Sequence, residues 1–189
     1  MPLKKLTTKE VSLFKDSKKL SEKQRTICFE YIQQLKKKRK LIAIAAFATV
    51  DEIDSYGITN ALHMAIVRGL RQWKAEFSTL PLHLFIDGKS DFNLKKRYPS
   101  LQITTIVNGD DKVKEISMAS IIAKVSRDRI MSTLPAKYRK YAFSQHKGYG
   151  TALHREKIEQ YGPSDMHRKL FLKTLFPHHQ VQRKLPEKF

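Results

Sequence analysis

At 189 residues the chain has the size of one domain, long enough to bury a real core and short for two. Lys and Arg number 37 against 18 Asp and Glu, a formal charge of +19, and so large an excess favours a polyanionic partner, nucleic acid first. No stretch approaches the roughly 18 uninterrupted apolar residues of a spanning helix, Met1 to Glu10 lacks the apolar core of a signal peptide, and Cys28 is the only cysteine. A membrane partner, an internal disulfide and a multi-thiolate zinc site are thereby disfavoured, and a soluble, cytoplasmic protein is expected.

In chain order, Ser21-Glu22-Lys23-Gln24 reads as a capping box. Ile27, Tyr31 and Leu35, joined by Cys28 and Ile32, then recur at helical spacing, which predicts a helix over 21–37. It runs into Lys36-Lys37-Lys38-Arg39-Lys40, a phosphate contact, a localisation signal, or a solvated helix end that complements the dipole. Leu41 to Ala48 is apolar and suits a strand buried on both faces, and Thr49 to Glu52 is a second capping box with a short helical turn. Ile58, Leu62, Ile66, Leu70, Trp73 and Phe77 predict a long helix packed on a sheet.

Leu82 to Ile86 and Gln102 to Val107 read as strands, ending at Asp87-Gly88 and at Gly109-Asp110-Asp111. A helix is expected over 113–134, with Ser117, Ala119, Ser120 and Ala123 allowing close packing. A shorter one is expected over 151–161, stopped by Gly162-Pro163, and an amphipathic piece over 165–176. Strands alternating with helices imply an α/β architecture with some parallel pairing.

Acidic residues at the ends of parallel strands converge in one crevice, and hard divalent cations want oxygen ligands. Asp87 and Asp110 are therefore candidate metal ligands and catalytic carboxylates. The plainer alternative makes Asp87-Gly88 a hairpin turn and Asp110-Asp111 a helix cap.

Six elements occur in an order and spacing that resemble ribonuclease HII. They are Asp16-Ser17-Lys18-Lys19-Leu20-Ser21, Glu52-Ile53-Asp54, Ile86-Asp87-Gly88, Ala119 to Val125 with Arg127-Asp128, His146-Lys147-Gly148-Tyr149-Gly150-Thr151, and His167-Arg168. The resemblance implies a ribonuclease H-like mixed sheet flanked by helices over 1–140, a small helical C-terminal portion over 141–176 that helps grip the duplex, and a basic tail over 177–189. It implies a monomeric endonuclease that uses Mn²⁺ or Mg²⁺ in two-metal hydrolysis. Its substrates would be the RNA strand of RNA-DNA hybrids and ribonucleotides embedded in duplex DNA, cut to leave 3′-hydroxyl and 5′-phosphate ends.

Carried over residue by residue, Asp87 and Asp110 match metal-binding aspartates, although Asn108 stands where the family usually has a basic residue. Tyr149 matches the tyrosine that packs on the sugar after the ribonucleotide, with a core ring as the alternative. Ser17, Lys18, Lys147 and Arg168 are expected phosphate contacts.

The family's Asp-Glu-x-Gly-Arg-Gly segment, which supplies two more carboxylates and reads the 2′-hydroxyl, is not in this sequence. Only 15 residues precede Asp16, and Gly-Arg-Gly occurs nowhere. Asp51-Glu52 is no substitute, since it matches a structural stretch. The expectation is a chain that starts at an internal methionine of an ordinary family member, lacks the first strand, and is inactive as written. The alternative is a degenerate, non-catalytic nucleic-acid-binding protein.

Overall fold

The computed structural model describes residue 14 and residues 20–77 and 82–172; Ser17, Lys18 and the tail 177–189 lie outside the described residues. Helix α1 (Glu22–Lys37) begins at Ser21 with the expected capping box, closed by Gln24 Oε1, which accepts from the Ser21 amide at 2.8 Å. Helix α2 (Val50–Tyr56) starts with the second box, between Thr49 and Glu52, and runs further than the short turn expected. Helix α3 (Ile58–Phe77) follows. Strands β1 (His83–Asp87) and β2 (Gln102–Ile106) pair in parallel, with Asp87 opposite Ile106, and helix α4 (Leu94–Arg97) lies between them in the chain. After β2 come α5 (Gly109–Lys112), α6 (Lys114–Ser132), a 3₁₀ helix (Ala136–Tyr141), α7 (Phe143–His146), α8 (Ala152–Tyr161) and α9 (Lys169–Leu172). The fold is α/β, mostly helical with a small parallel sheet, consistent with a ribonuclease H-like fold. No helix among the described residues is long and apolar enough to cross a membrane.

Two compact units form, one drawn from Met1–Ala45 and Gln72–Ser126, the other from Ala46–Arg71 and Arg127–Phe189. In the first, Phe14, Cys28, Phe29, Ile32 and Leu35 pack with Met118, Ile121 and Val125 of α6. Fully burying side chains of this size stabilises by about 1.5–3 kcal/mol each, before the entropy of ordering them is subtracted. In the second unit, Tyr138, Tyr141 and Phe143 form the core, with Met131, Leu134 and Met166 against them. Two of its rings also reach polar partners: Tyr138 Oη donates to Asp165 Oδ2 at 2.8 Å and Tyr141 Oη to the Gly162 carbonyl at 3.0 Å.

Three expectations need correcting. Leu41 to Ala48 is not a strand among the described residues, where the two strands bond to each other. Side chains donate to its carbonyls instead of a ladder: Lys36 Nζ to Ala43 at 2.9 Å, and Arg68 Nη1 to Phe47 at 2.8 Å. The apolar stripes are also rotated. Ile27 of α1 is exposed and Phe29 buried, while on α3 Ile58 and Leu62 are exposed and Ala61 and Ala65 buried, because small side chains let a backbone approach more closely. Of the small residues on α6, Ser117 is fully buried, whereas Ala119 and Ala123 face out and the contacts come from Ile116, Met118, Ile121 and Val125.

Candidate functional site

The acidic pair belongs to the first unit. Strand alternation puts Asp87 on the same face as His83 and Phe85, the exposed side of β1, with Ile86 buried on the other. Gly88, at φ +98°, turns the chain out of the strand while its amide still donates to the Ile106 carbonyl at 2.8 Å. After β2, Asn108 takes the left-handed conformation (φ 55°, ψ 47°) and α5 opens at once, so Asp110 follows the strand closely and is buried.

The two segments are tied together by the Gly109 amide, which donates to Asp87 Oδ1 at 2.8 Å. Glycine makes this approach easy. A Cβ at residue 109 would stand 2.5 Å from Ile116 Cδ1 and 3.4 Å from Asp87 Oδ1. The hairpin alternative for Asp87-Gly88 is thus set aside, since the strand it ends pairs in parallel with β2.

Oxygen donors of this kind suit Mg²⁺ or Mn²⁺ in type, but two carboxylates fill only part of a six-coordinate shell. Among the described residues no group of three or more His, Cys, Asp or Glu side chains is placed to hold a metal. The donor chemistry fits a hard cation and the donor number does not complete its site. Glu52 does not make up the number. It accepts from the Thr49 amide at 2.9 Å and from Arg68 Nη1 at 3.0 Å, and hydrogen bonding to Arg68, foremost, holds its carboxyl below the usual range.

The second unit holds a basic and aromatic cavity of about 280 Å³, whose lining includes Arg127, Phe143, His154, Arg155, His167 and Arg168. At its edge Tyr149 is 50% exposed, so its ring is not a core ring, and the Arg127 guanidinium carbon lies 4.7 Å from the ring centroid. Gly148, at φ +77°, brings the loop so near that a Cβ would stand 2.7 Å from Met131 Cε and 3.4 Å from Arg127 Nη2. Arg168 is half-buried, and its pKa is lowered by burial first and then by the Arg127 charge. Three arginines, Arg127, Arg155 and Arg168, line this one cavity and make an anion welcome there. Lys147 points elsewhere, its ammonium donating to Ser132 Oγ and to the Ser144 carbonyl, each at 2.5 Å.

Behind Tyr149 lie three buried histidines. His146 and His154 stack with centroids 4.1 Å apart, and the Nε2 atoms of His154 and His167 are 3.1 Å apart. Burial, above all, lowers the pKa of His154, and burial followed by the His154 charge pushes His167 down to about 4. Arg155 and His154 were not singled out in the sequence, and Arg127 and His167 stood there only as parts of motifs, with no role assigned. The available signal was two histidines, at 154 and 167, close after the Gly-Tyr-Gly loop.

The structure therefore brings Asp87 and the Gly109-Asp110 corner together in one unit, and Tyr149 with Arg127 and Arg168 in the other. Compared with known proteins, the chain matches the family described as Ribonuclease HII over residues 5–176. It is similar to "Ribonuclease HII" of Fusobacterium nucleatum, 39% identical over 170 residues that make up 89% of this chain and 74% of the relative. "Ribonuclease HII" of Thermosynechococcus vestitus is 39% identical over 167 residues, 86% of this chain and 70% of the relative. "Ribonuclease HII" of Campylobacter concisus is 39% identical over 163 residues, 86% of this chain and 79% of the relative.

Proposed function

Because the chain belongs to the ribonuclease HII family, whose members are endoribonucleases of the ribonuclease H type, we propose that it serves to cut the RNA strand of RNA-DNA hybrids and to incise duplex DNA at embedded ribonucleotides. The observation that carries this reading is the Gly109 amide on Asp87 Oδ1, which sets a carboxylate at one strand end against the corner that bears Asp110. Asp87 and Asp110 would supply part of the coordination of Mn²⁺ or Mg²⁺. Such ions activate a water and stabilise the leaving oxygen in phosphodiester hydrolysis, and a two-ion site needs carboxylates beyond these two.

In the helical C-terminal portion, Tyr149 packs on the sugar that follows the ribonucleotide, and Arg168 meets phosphate. The exposed ring and the Arg127-Arg168 pair at one cavity support both assignments. Lys147 is a weaker phosphate contact than its place in the motif implied, since two protein oxygens already hold its ammonium.

The test is incubation with a DNA duplex that carries one ribonucleotide, with Mn²⁺ or Mg²⁺, for the chain alone and for the chain preceded by a family Asp-Glu-x-Gly-Arg-Gly segment. Cleavage by the extended chain, leaving 3′-hydroxyl and 5′-phosphate ends, is expected. Binding without cleavage by both forms would instead establish a non-catalytic nucleic-acid-binding protein.

A further inference from the structure

The loop that carries Tyr149 is held by side chains as well as by its own backbone, Arg155 Nη2 donating to the Gly150 carbonyl at 3.0 Å. Glycine stands on both sides, Lys147 has φ 51° and Gly148 φ +77°, and the ring itself is half in solvent. Its backbone is fixed by a few hydrogen bonds. The Tyr149 amide donates to the His146 carbonyl at 2.8 Å, and the Tyr149 carbonyl accepts from the Thr151 amide at 2.8 Å and lies 2.9 Å from His154 Nδ1.

The protonation of the histidines follows from these partners. The Ser164 amide can only donate, and it meets His167 Nδ1 at 2.9 Å; Ser164 Oγ, which accepts from the Met166 amide, lies 2.8 Å from the same nitrogen and turns its proton to it, so Nδ1 is bare and the proton of the neutral ring sits on Nε2. That proton points at His154 Nε2, 3.1 Å away, which must accept. The proton of His154 is then on Nδ1, where it donates to the Tyr149 carbonyl. His146 is fixed separately: its Nδ1 accepts from the Gly148 amide at 3.1 Å, so its Nε2 donates to the Tyr141 carbonyl at 2.7 Å.

We propose that His154 and His167 are positioning residues for Tyr149, forming a relay of fixed neutral tautomers from the Ser164 amide to the Tyr149 carbonyl that sets where the junction-reading ring stands. The proposal rests on the reading of Tyr149 given above. The logic is that of a ring oriented by the bond its other nitrogen makes. In this proposal both histidines act through Tyr149. The Ser164–His167 turn decides the tautomer of His167, His167 decides that of His154, and His154 holds the loop.

Two measurements on the full chain test it. Long-range nitrogen-proton NMR correlation on the ¹⁵N-histidine protein reports tautomers directly, and the expectation is Nε2-H for His167 and Nδ1-H for His154 at neutral pH. The opposite tautomer on either ring, or a charged ring, would overturn the relay whatever Tyr149 does.

The second measurement uses two variants of one residue. In His154→Asn the side-chain amide stands where Nδ1 stood and can still donate to the Tyr149 carbonyl; in His154→Gln the polar group is moved to the Nε2 end. The asparagine variant should keep the wild-type Tyr149 amide and ring resonances, and the glutamine variant should lose them. The ratio of affinities for duplex with and without one ribonucleotide should fall in the glutamine variant by about fivefold, the factor carried by one neutral hydrogen bond. Equal behaviour of the two variants at matched melting temperature would reduce His154 to packing and sink the proposal. If Tyr149→Ala leaves the ratio untouched while the tautomers and the Asn-Gln difference at Tyr149 stand, the junction reading fails and the relay survives as a loop anchor.

Discussion

Gly109 and Asp87 are 22 residues apart in sequence, yet the amide of the first donates to the carboxylate of the second across 2.8 Å. A side-chain oxygen on a strand end is thereby oriented by the backbone that follows the neighbouring strand. The bond has a testable consequence. In Asp87→Asn the amide oxygen can still accept from Gly109, so the fold should survive with a change below about 1 kcal/mol. The lost charge should lower cleavage by a chain extended with the family's acidic segment by at least about 100-fold, since even partners outside the ligand shell commonly carry 10–100-fold. Wild-type turnover in this variant, measured on a hybrid duplex, would remove Asp87 from the metal site.

Gly109→Ala should be the more disruptive change for structure. The added methyl would stand 2.5 Å from Ile116 Cδ1, so the Ile116 side chain or the α5 corner must shift. Overpacking of this kind costs about 1–3 kcal/mol. Thermal unfolding that matched the wild type would show that Ile116 yields freely and that the corner does not depend on glycine.

A polypeptide of these 189 residues alone should show no appreciable ribonuclease activity, because Asp87 and Asp110 cannot by themselves hold two ions against an anionic substrate. It should still bind duplex, with log affinity falling against log salt at about −0.9 per phosphate neutralised on B-form DNA. Turnover near that of the extended chain, in a preparation free of host enzyme, defeats the first expectation. A flat salt plot defeats the nucleic-acid role of the +19 charge.

Stability should also depend on pH through the histidines. His167 has a folded pKa of about 4 against a reference of 6.5, and His154 is lowered as well, in both cases mainly by burial. A depressed pKa means that the unfolded chain takes up protons the folded chain refuses, so this contribution is complete above about pH 6.5 and is lost as pH falls toward 4. Around His167 the charges of His154 and His146 add to the depression and Asp165 opposes it, while Arg127, Arg155 and Arg168 line the same cavity. The melting temperature should decline between pH 6.5 and 5, above the carboxylate range, with up to one proton per histidine, about 1.4 kcal/mol per pH unit each. His167→Gln should flatten the decline; an identical slope in that variant would mean that other groups titrate.

Local signals were the legible ones. Ser21 with Gln24 and Thr49 with Glu52 announced two helix starts because a capping box is written within four residues. Asp87 was legible as a strand-end carboxylate, whereas Asp110 stands in the first turn of α5, beyond the end of β2. The segment 41–48 misled twice: it forms no strand, and it is not buried, since Ala45, Ala46 and Phe47 are exposed, because an unbroken apolar run fixes neither a ladder nor a place in the core. Asn108 in the left-handed region, which brings α5 in directly after β2, left no mark beyond an asparagine before a glycine. The relay was illegible for a deeper reason. Ser164, His167, His154 and Tyr149 form one proton order through contacts set by the folded chain, and a tautomer is a property of those contacts alone.

Tyr149 separates substrate reading from metal chemistry, because its unit does not contain Asp87 or Asp110. With half its surface in solvent and Arg127 over one face, truncation to alanine should cost well under the 3–5 kcal/mol of a large core aromatic. A ring that positions the junction contributes binding energy that only the correct geometry uses, so its removal should appear in discrimination. In an active, extended chain, Tyr149→Ala should therefore reduce cleavage at a single embedded ribonucleotide more than cleavage within continuous RNA. Tyr149→Phe should be milder, since the packing face survives. Arg127→Met, which removes the stacked cation but keeps an apolar stem, should fall between them if the guanidinium steadies the ring, a contact worth about 0.5–1 kcal/mol at an exposed site. Melting temperatures measured beside the two cleavage rates decide the matter: a destabilised Tyr149→Ala protein with an unchanged substrate ratio would mean that the ring supports the fold and reads nothing.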